Sequence, residues 1–337
     1  MRKVKECNHF TQKKRLHKVK SKKKINTMKN IRLQLITLLL LILGINGFAQ
    51  QDPMYTQYMN NPIVVNPAYA GSRGVGNLTG VFRKQWLGIN GSPATSSISY
   101  NAPIKRYDFG VGASLLYDAI GPITQTGLYL DYSYQIRFEE KRTLSLGLKG
   151  GFNYYYLNYS GLNYDGPDDD IDQLENESLF LPNFGVGAYY YTDKLYLGLS
   201  IPKLIRNSLE KGKTSVQSLT REEWHFFLMG GYIFNLSKNI DFKPSFISRY
   251  TAGVPLSLEL TATFVLYDKV WLGAMYRVGE SFGGLVNWQI TPKLNVGYSY
   301  DLTHTEIRAF NKGSHEITLN YLFLRDNGKR ILSPRFF

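Results

Sequence analysis

From about residue 77 to residue 324 the chain changes polarity at every second position. Leu128, Leu130, Tyr132, Tyr134 and Ile136 alternate with Tyr129, Asp131, Ser133 and Gln135, and Leu294, Val296, Tyr298, Tyr300 and Leu302 alternate with Asn295, Gly297, Ser299 and Asp301. Phe109 to Leu115 and Leu144 to Leu148 repeat the pattern, with Gly and Ser on the second face. Period two is the mark of a strand with one apolar and one polar face. The pattern gives about fourteen strands: 77–87, 94–103, 108–118, 123–138, 143–157, 183–192, 194–201, 223–236, 240–251, 255–267, 269–279, 281–290, 293–303 and 313–324.

A soluble sandwich alternates in the same way, and three features favour a membrane barrel instead. Segments of about ten residues have the length needed to cross a bilayer at a tilt. One face is built of Gly, Ser and Thr while the other carries Leu, Val, Phe and Tyr. The trios Tyr154-Tyr155-Tyr156 and Tyr189-Tyr190-Tyr191 stand near segment ends, where interfacial girdles are expected. Connections alternate too. Short charged ones (Glu139-Glu140-Lys141-Arg142, Thr192-Asp193-Lys194, Ser237-Lys238-Asn239, Tyr267-Asp268-Lys269, Thr291-Pro292-Lys293) lie between mostly longer ones, notably 158–182, 202–222 and 304–312. Short periplasmic turns and longer outer loops are the habit of outer-membrane barrels. The prolines Pro93, Pro122, Pro167, Pro182, Pro202 and Pro292 are expected in connections or at strand ends, whereas Pro244 falls inside a strand, weakens it, and calls for a bulge or a later strand start. The fold class expected is therefore all-β: a transmembrane antiparallel barrel of about 14 strands at 76–324, preceded by an N-terminal plug at 50–75 and followed by a periplasmic tail at 325–337.

Export is written upstream. Met28-Lys29-Asn30-Ile31-Arg32 is a basic start, Leu35 to Ile45 an apolar run, and Gly47-Phe48-Ala49 a small-residue cleavage site, so 28–49 reads as a signal peptide. An apolar run this short is not expected to stay as a spanning helix, which needs about 20 residues. Residues 1–27 read as an over-extended start. They hold the single cysteine, Cys7, and 11 of the chain's 40 Lys and Arg. The formal charge of +14 is thus a property of the leader, and nucleic acid is not an expected partner. The mature chain has no cysteine and must hold together without disulfides.

Catalytic chemistry is not expected. His225, His304 and His315 are far apart, and no Ser, His and Asp spacing suggests a hydrolase. Asp165-Gly166-Pro167-Asp168-Asp169-Asp170-Ile171-Asp172 is rich in oxygen ligands but lacks the spacing of a calcium loop, so it reads as a solvated acidic outer loop. Gly110-Val111-Gly112 and Gly185-Val186-Gly187 alternate with apolar residues, so they belong to strands whose small side faces a crowded lumen or plug, not to nucleotide loops. His315-Glu316 reads as a lumen or interface pair. No cofactor or metal is called for.

The run Gln51-Asp52-Pro53 through Tyr55 and Tyr58 to Asn66-Pro67-Ala68-Tyr69-Ala70-Gly71 resembles the N-terminal signature of the PorP/SprF family of type IX secretion and gliding motility. Arg83-Lys84-Gln85-Trp86, Pro182-Asn183-Phe184-Gly185-Val186-Gly187, Tyr298-Ser299-Tyr300-Asp301, Ser314-His315-Glu316-Ile317 and the closing Ser333-Pro334-Arg335-Phe336-Phe337 match in order. The resemblance implies an outer-membrane barrel, similar in outline to long-chain fatty-acid transporters, that works with the type IX machinery. It also implies, as partner, a secreted adhesin or the C-terminal domain of a cargo protein, exported or retained at the surface. The competing class is a passive transporter of hydrophobic small molecules.

Asp52, Pro53, Tyr55, Tyr58, Asn66, Pro67, Ala68 and Gly71 are the residues expected to form the plug. Asn61-Pro62 and Asn66-Pro67 fix turns, because the residue before proline is driven out of the helical region. Tyr55, Tyr58 and Tyr69 pair an apolar ring with a hydroxyl suited to a wet lumen. Asp168, Asp169 and Asp170 in the acidic outer loop, and Arg335, Phe336 and Phe337 in the tail, are the candidate partner contacts. The competing reading of the tail is a displaced assembly signal.

Overall fold

A computed structural model of the chain describes residues 54–104, 106–139, 142–158, 176–207 and 222–323. Its strands are β1 (Gly76–Lys84), β2 (Ala94–Ile104), β3 (Phe109–Ile120), β4 (Ile123–Glu139), β5 (Arg142–Leu157), β6 (Glu177–Tyr191), β7 (Leu195–Ile201), β8 (His225–Tyr232), β9 (Phe234–Asn235), β10 (Ile240–Thr251), β11 (Ser257–Leu266), β12 (Val270–Arg277), β13 (Ser281–Thr291), β14 (Leu294–Thr303) and β15 (Ser314–Phe323). Each pairs antiparallel with its sequence neighbour, β10 pairs with β11, and β15 returns to pair with β1. The short β9 continues β8 past Ile233, and both pair with β10, so fourteen staves close one ring, whose ladder is open where β7 stops short of the first half of β6.

Burial follows the pleat, and its sense is inverted relative to a soluble protein. In β1, Asn77, Thr79, Val81 and Arg83 are buried while Leu78 and Phe82 are exposed. In β4, Asp131 and Ser133 point in while Leu128, Leu130, Tyr132 and Tyr134 point out. An apolar exterior around a polar interior is the arrangement a hydrocarbon solvent selects. Leu130, 64% exposed near the middle of β4, gives a direct check. Leu130→Lys is expected to destabilise the barrel by roughly 2–4 kcal/mol, read from denaturation midpoints in lipid vesicles.

The short connections 105–108, 192–194, 236–239, 267–269 and 292–293 gather at one end, which we call the turn end. The longer ones 85–93 and 304–313, and the strand ends that flank 158–176 and 202–224, lie at the other, the loop end. Tyr267 and Asp268 both have φ of 54°, as a tight hairpin turn of the twist-matched kind requires.

Three expectations change in the structure. Pro182 does not lie in a connection; it sits inside β6, opposite Phe152 of β5. β6 pairs with β7 only from Val186 onward, so the edge at Pro182 has no ladder bond for proline to remove. The tyrosine trios do not sit wholly in girdles, because successive side chains on a strand point to opposite faces. Tyr154 and Tyr156 point out, whereas Tyr155, Tyr189 and Tyr191 are buried inside. Pro244 stays within its strand, beside the interruption at Ile233 that separates β8 from β9, and pairs across to Ala262 of β11. The signal peptide, the acidic loop residues 165–172 and the tail 325–337 lie outside the described residues.

Candidate functional site: the lumenal segment and its seat

A ring of fourteen strands encloses an interior too wide for wall side chains alone to fill. Residues 54–75 occupy it. They form three single 3₁₀ turns, Tyr58–Asn60, Pro62–Val64 and Pro67–Tyr69, of which the last two carry proline at the first position, where its missing N–H is not needed. Asn66 is held extended (φ −134°, ψ 107°) by the proline after it, and its side chain accepts from the Ala68 N–H at 3.0 Å. The Asn-Pro pairs thus act as turn formers, as the sequence indicates.

The segment's partners lie around the whole ring, which places it within the lumen. Asn60 donates to Asn287 of β13 at 3.1 Å, and Asn61 accepts from Ser99 of β2 at 2.5 Å. Tyr58 donates to Ser245 of β10 at 3.1 Å, and Asn66 to the Ala188 carbonyl of β6 at 3.1 Å. Lys149 of β5, paired with Asp131 of β4 at 3.1 Å, donates to the Ile63 and Val64 carbonyls at 3.1 and 3.2 Å. Arg73 donates to the Tyr69 hydroxyl at 2.9 Å and to Asn320 of β15 at 2.9 Å.

Two features of this seat stand out. The first is a buried ion cluster. Arg83 lies 2.7 Å from Asp301 and 3.2 Å from Glu316, with all three side chains nearly inaccessible. Glu316 accepts the backbone N–H groups of Thr56 and Gln57, each at 2.8 Å. The Thr56 hydroxyl donates to Asp301 at 2.5 Å and accepts from Arg83 at 2.6 Å. The remaining donors and acceptors thus help offset the desolvation that makes buried charges costly. Its members come from four separate stretches of sequence: the Tyr55 run, Arg83-Lys84-Gln85-Trp86, Tyr298-Ser299-Tyr300-Asp301 and Ser314-His315-Glu316-Ile317.

The second is a row of small residues in register across five strands: Gly110, Ser133, Gly147, Gly187 and Ser200. Residues 65–70 lie along it. Ser200 donates to the Val65 carbonyl and Ser133 to the Ala70 carbonyl, each at 2.7 Å. A Cβ on Gly187 would overlap Asn66, on Gly147 Ala68, and on Gly110 Ala70. Gly71 adopts φ of 71° where the segment passes Gly110 and Pro103, a turn and a close approach that admit no side chain.

Of the residues singled out in the sequence, Tyr55, Tyr58, Asn66, Pro67, Ala68 and Gly71 are brought together in the lumen. Asp52, Pro53, Asp168, Asp169, Asp170, Arg335, Phe336 and Phe337 lie outside the described residues. Sequence reasoning missed the roles of Arg83, Asp301, Asp131 and Lys149, although a charge on the polar face of an alternating strand is a signal that could have raised them. It also missed Glu222, which accepts from Asn183, Asn207 and Tyr155 at 3.2, 2.9 and 3.1 Å and so ties down both ends of the connection after β7.

The family model of the type IX secretion system membrane protein PorP/SprF matches residues 47–321. Among solved structures, the chain is similar to the CymD monoaromatic hydrocarbon channel, at 11% identity and a TM-score of 0.46 over 81% of this chain and 94% of that one. It is similar to the outer membrane protein Omp33 of Acinetobacter baumannii at 10% identity and 0.44, over 74% and 98%. A FadL homologue of Pseudomonas aeruginosa gives 12% and 0.41, over 82% and 96%. Comparison with curated proteins gives no match.

Proposed function

The chain belongs to the PorP/SprF family of type IX secretion system membrane proteins, and from that premise we propose that it is a binding barrel, not an enzyme and not an open conduit. It is an outer-membrane component associated with the type IX machinery. Its role in this reading is to hold a secreted adhesin, or the C-terminal domain of a cargo protein, for export or retention at the surface. The observation that carries the reading is the set of hydrogen bonds from residues 54–75 to strands around the ring; in this reading the segment acts as a plug. A wall built with glycine where the segment passes is a wall fitted to a resident occupant. The outer loops, including Asp168, Asp169 and Asp170, then supply the partner surface, and an acidic loop favours a basic partner through salt-sensitive association.

A second reading has one observation in its favour. An open, mostly apolar recess lined by Val64, Leu116, Tyr129, Pro202 and Phe227, with Lys149 and Lys203 at its wall, lies beside the segment. It sits where β7 stops short and residues 202–207 fold across beside β6, with the Leu204 N–H bonded to the Phe184 carbonyl at 2.7 Å. Such a recess suits a small hydrophobic molecule.

Deletion of the gene separates the two. Loss of a surface adhesin or secreted cargo, with uptake of hydrophobic compounds unchanged, is the expected result. Normal surface protein with impaired uptake would overturn the binding reading in favour of the transporter.

A further inference from the structure

The strand residues that supply the buried ion cluster have outward neighbours. Arg83, Asp301 and Glu316 point into the lumen, so period two turns Lys84, Tyr300 and His315 to the outer wall. The His315-Glu316 pair is thus split between the two faces. Tyr300 pairs in register with His315, and His315 with Lys84, which puts their Cβ atoms about 4.5–5.5 Å apart on one face. Gly284 stands opposite Tyr300 and Ala94 opposite Lys84, so the wall is low on both sides of the trio.

The trio has donors to spare. His315 Nδ1 lies 2.7 Å from the Tyr298 hydroxyl, and its ring lies 5.0 Å from the Tyr300 ring. These contacts fix the imidazole and leave Nε2 with no hydrogen-bond partner among the described residues. Lys84 Nζ donates to the Ser92 carbonyl at 2.6 Å, which leaves two of its three N–H groups unused. No carboxylate faces outward from β13, β14, β15, β1 or β2. Phe82 and Ile317, the next outward residues toward the turn end, are exposed and apolar, while the loop-end connections begin just beyond Lys84 and His315. This is the level where hydrocarbon gives way to headgroups, and where aromatic rings and long cations gather. Unused donors on a cation there call for an anion from the surrounding layer.

We propose that Lys84 and His315, oriented by Tyr298 and Tyr300, form an outer-wall site for the terminal phosphate of a lipid headgroup in the outer leaflet. A phosphate monoester presents three acceptor oxygens, enough for the two free N–H groups of Lys84 and the Nε2 of His315. Acyl chains attached to it run down the wall over Phe82 and Ile317. A free phosphate ion has the same head but no tail, and the test separates the two sources. The site straddles the pairing of β15 with β1, so a bound headgroup clamps from outside the seam that Arg83 and Glu316 clamp from within.

The test uses the whole barrel in nanodiscs of phosphatidylcholine with a minor share of phosphatidic acid, which carries a phosphate monoester. Lipid retained after transfer to mild detergent is counted by native mass spectrometry, and heat-modifiable gel mobility reports that each barrel is folded. The wild type is expected to retain phosphatidic acid about tenfold more than the double variant Lys84→Gln, His315→Phe, the loss that removing charge-assisted hydrogen bonds brings. Ala94→Glu sets a carboxylate opposite Lys84 with the trio in place, and is expected to release the lipid equally. It keeps the test decisive if the double variant does not fold. Equal retention by the wild type and either folded variant overturns the proposal, as does retention of phosphatidylcholine to the same degree as phosphatidic acid. Displacement of the lipid by inorganic phosphate, seen as the ion's mass on the barrel, assigns the site to a free ion and overturns it too.

Discussion

Replacing Arg83 with methionine is expected to cost the folded barrel roughly 3–5 kcal/mol, because the change strands charge where water cannot reach it. Asp301 and Glu316 would both lose the guanidinium that neutralises them, at 2.7 and 3.2 Å in the wild type, while remaining buried. The ladder between β1 and β15 would stay in register, since Arg83 contributes only its side chain to the cluster. What gives way is the grip on Thr56 and Gln57. The prediction has a second half that a simple packing defect would not reproduce. The triple variant Arg83→Met, Asp301→Asn, Glu316→Gln removes the charges together and is expected to recover most of the loss, because an uncharged cluster carries no unpaired ion. Urea midpoints of refolded barrels in vesicles, single against triple variant, check it. Equal loss in the two would mean the cluster acts by shape and not by charge.

The largest expected effect on conduction comes from the row of small residues. Gly147→Leu with Gly187→Leu puts two side chains where Ala68 and Asn66 now touch the wall. At Gly147 the clash is with main-chain atoms of Ala68 and Pro67, which cannot yield by rotating a tip, and at Gly187 it is with the Asn66 side chain, which would have to give up its bonds to the Ala68 N–H and the Ala188 carbonyl. The substituted positions face the lumen, so the ladders among β5, β6 and β7 stay intact and the barrel still forms. The segment is expected to leave its seat. Single barrels in planar bilayers should then pass stepwise current, with conductance roughly tenfold or more above the parent, as expected when an interior of this strand number loses its filling. Protease added from the loop side should also reach residues 54–75. Parental conductance in a folded double variant would show that the segment does not govern passage.

The barrel was legible in the chain because period two needs no tertiary knowledge. The alternation through Leu128–Ile136 or Leu294–Leu302 shows its face without any neighbour being known, and the strand ends fall within a few residues of those expected, apart from β6. That strand begins at Glu177, before Pro182 and not after it, because proline is barred only where a ladder bond would run on its side. The tyrosine trios were read by composition where parity decides, and parity sends Tyr189 inward to meet Tyr69 edge-on at 5.5 Å. The seat itself was hidden for a different reason. Gly110 and Gly187 could be read as facing a crowded lumen or plug, but they join Ser133, Gly147 and Ser200 in a row only after four registers are fixed. Arg83, Asp301 and Glu316 are likewise brought together by closure of the ring, not by any spacing along the chain.

The contact between Thr56 and Glu316 spans 260 positions of sequence. Glu316 belongs to β15, the strand whose pairing with β1 seals the wall. The last stave to leave the ribosome is therefore also the clasp on the first residues of the lumenal run. A wall already sealed would have to swallow the run end-on through a mouth, past side chains set to grip it. An open, curled sheet can instead receive it broadside, against the row on β3 to β7, and hold it there while the C-terminal staves arrive. Sealing and gripping then become one event, and contacts of such long range make that event slow. The rate at which the barrel matures in the membrane should be set at that seam.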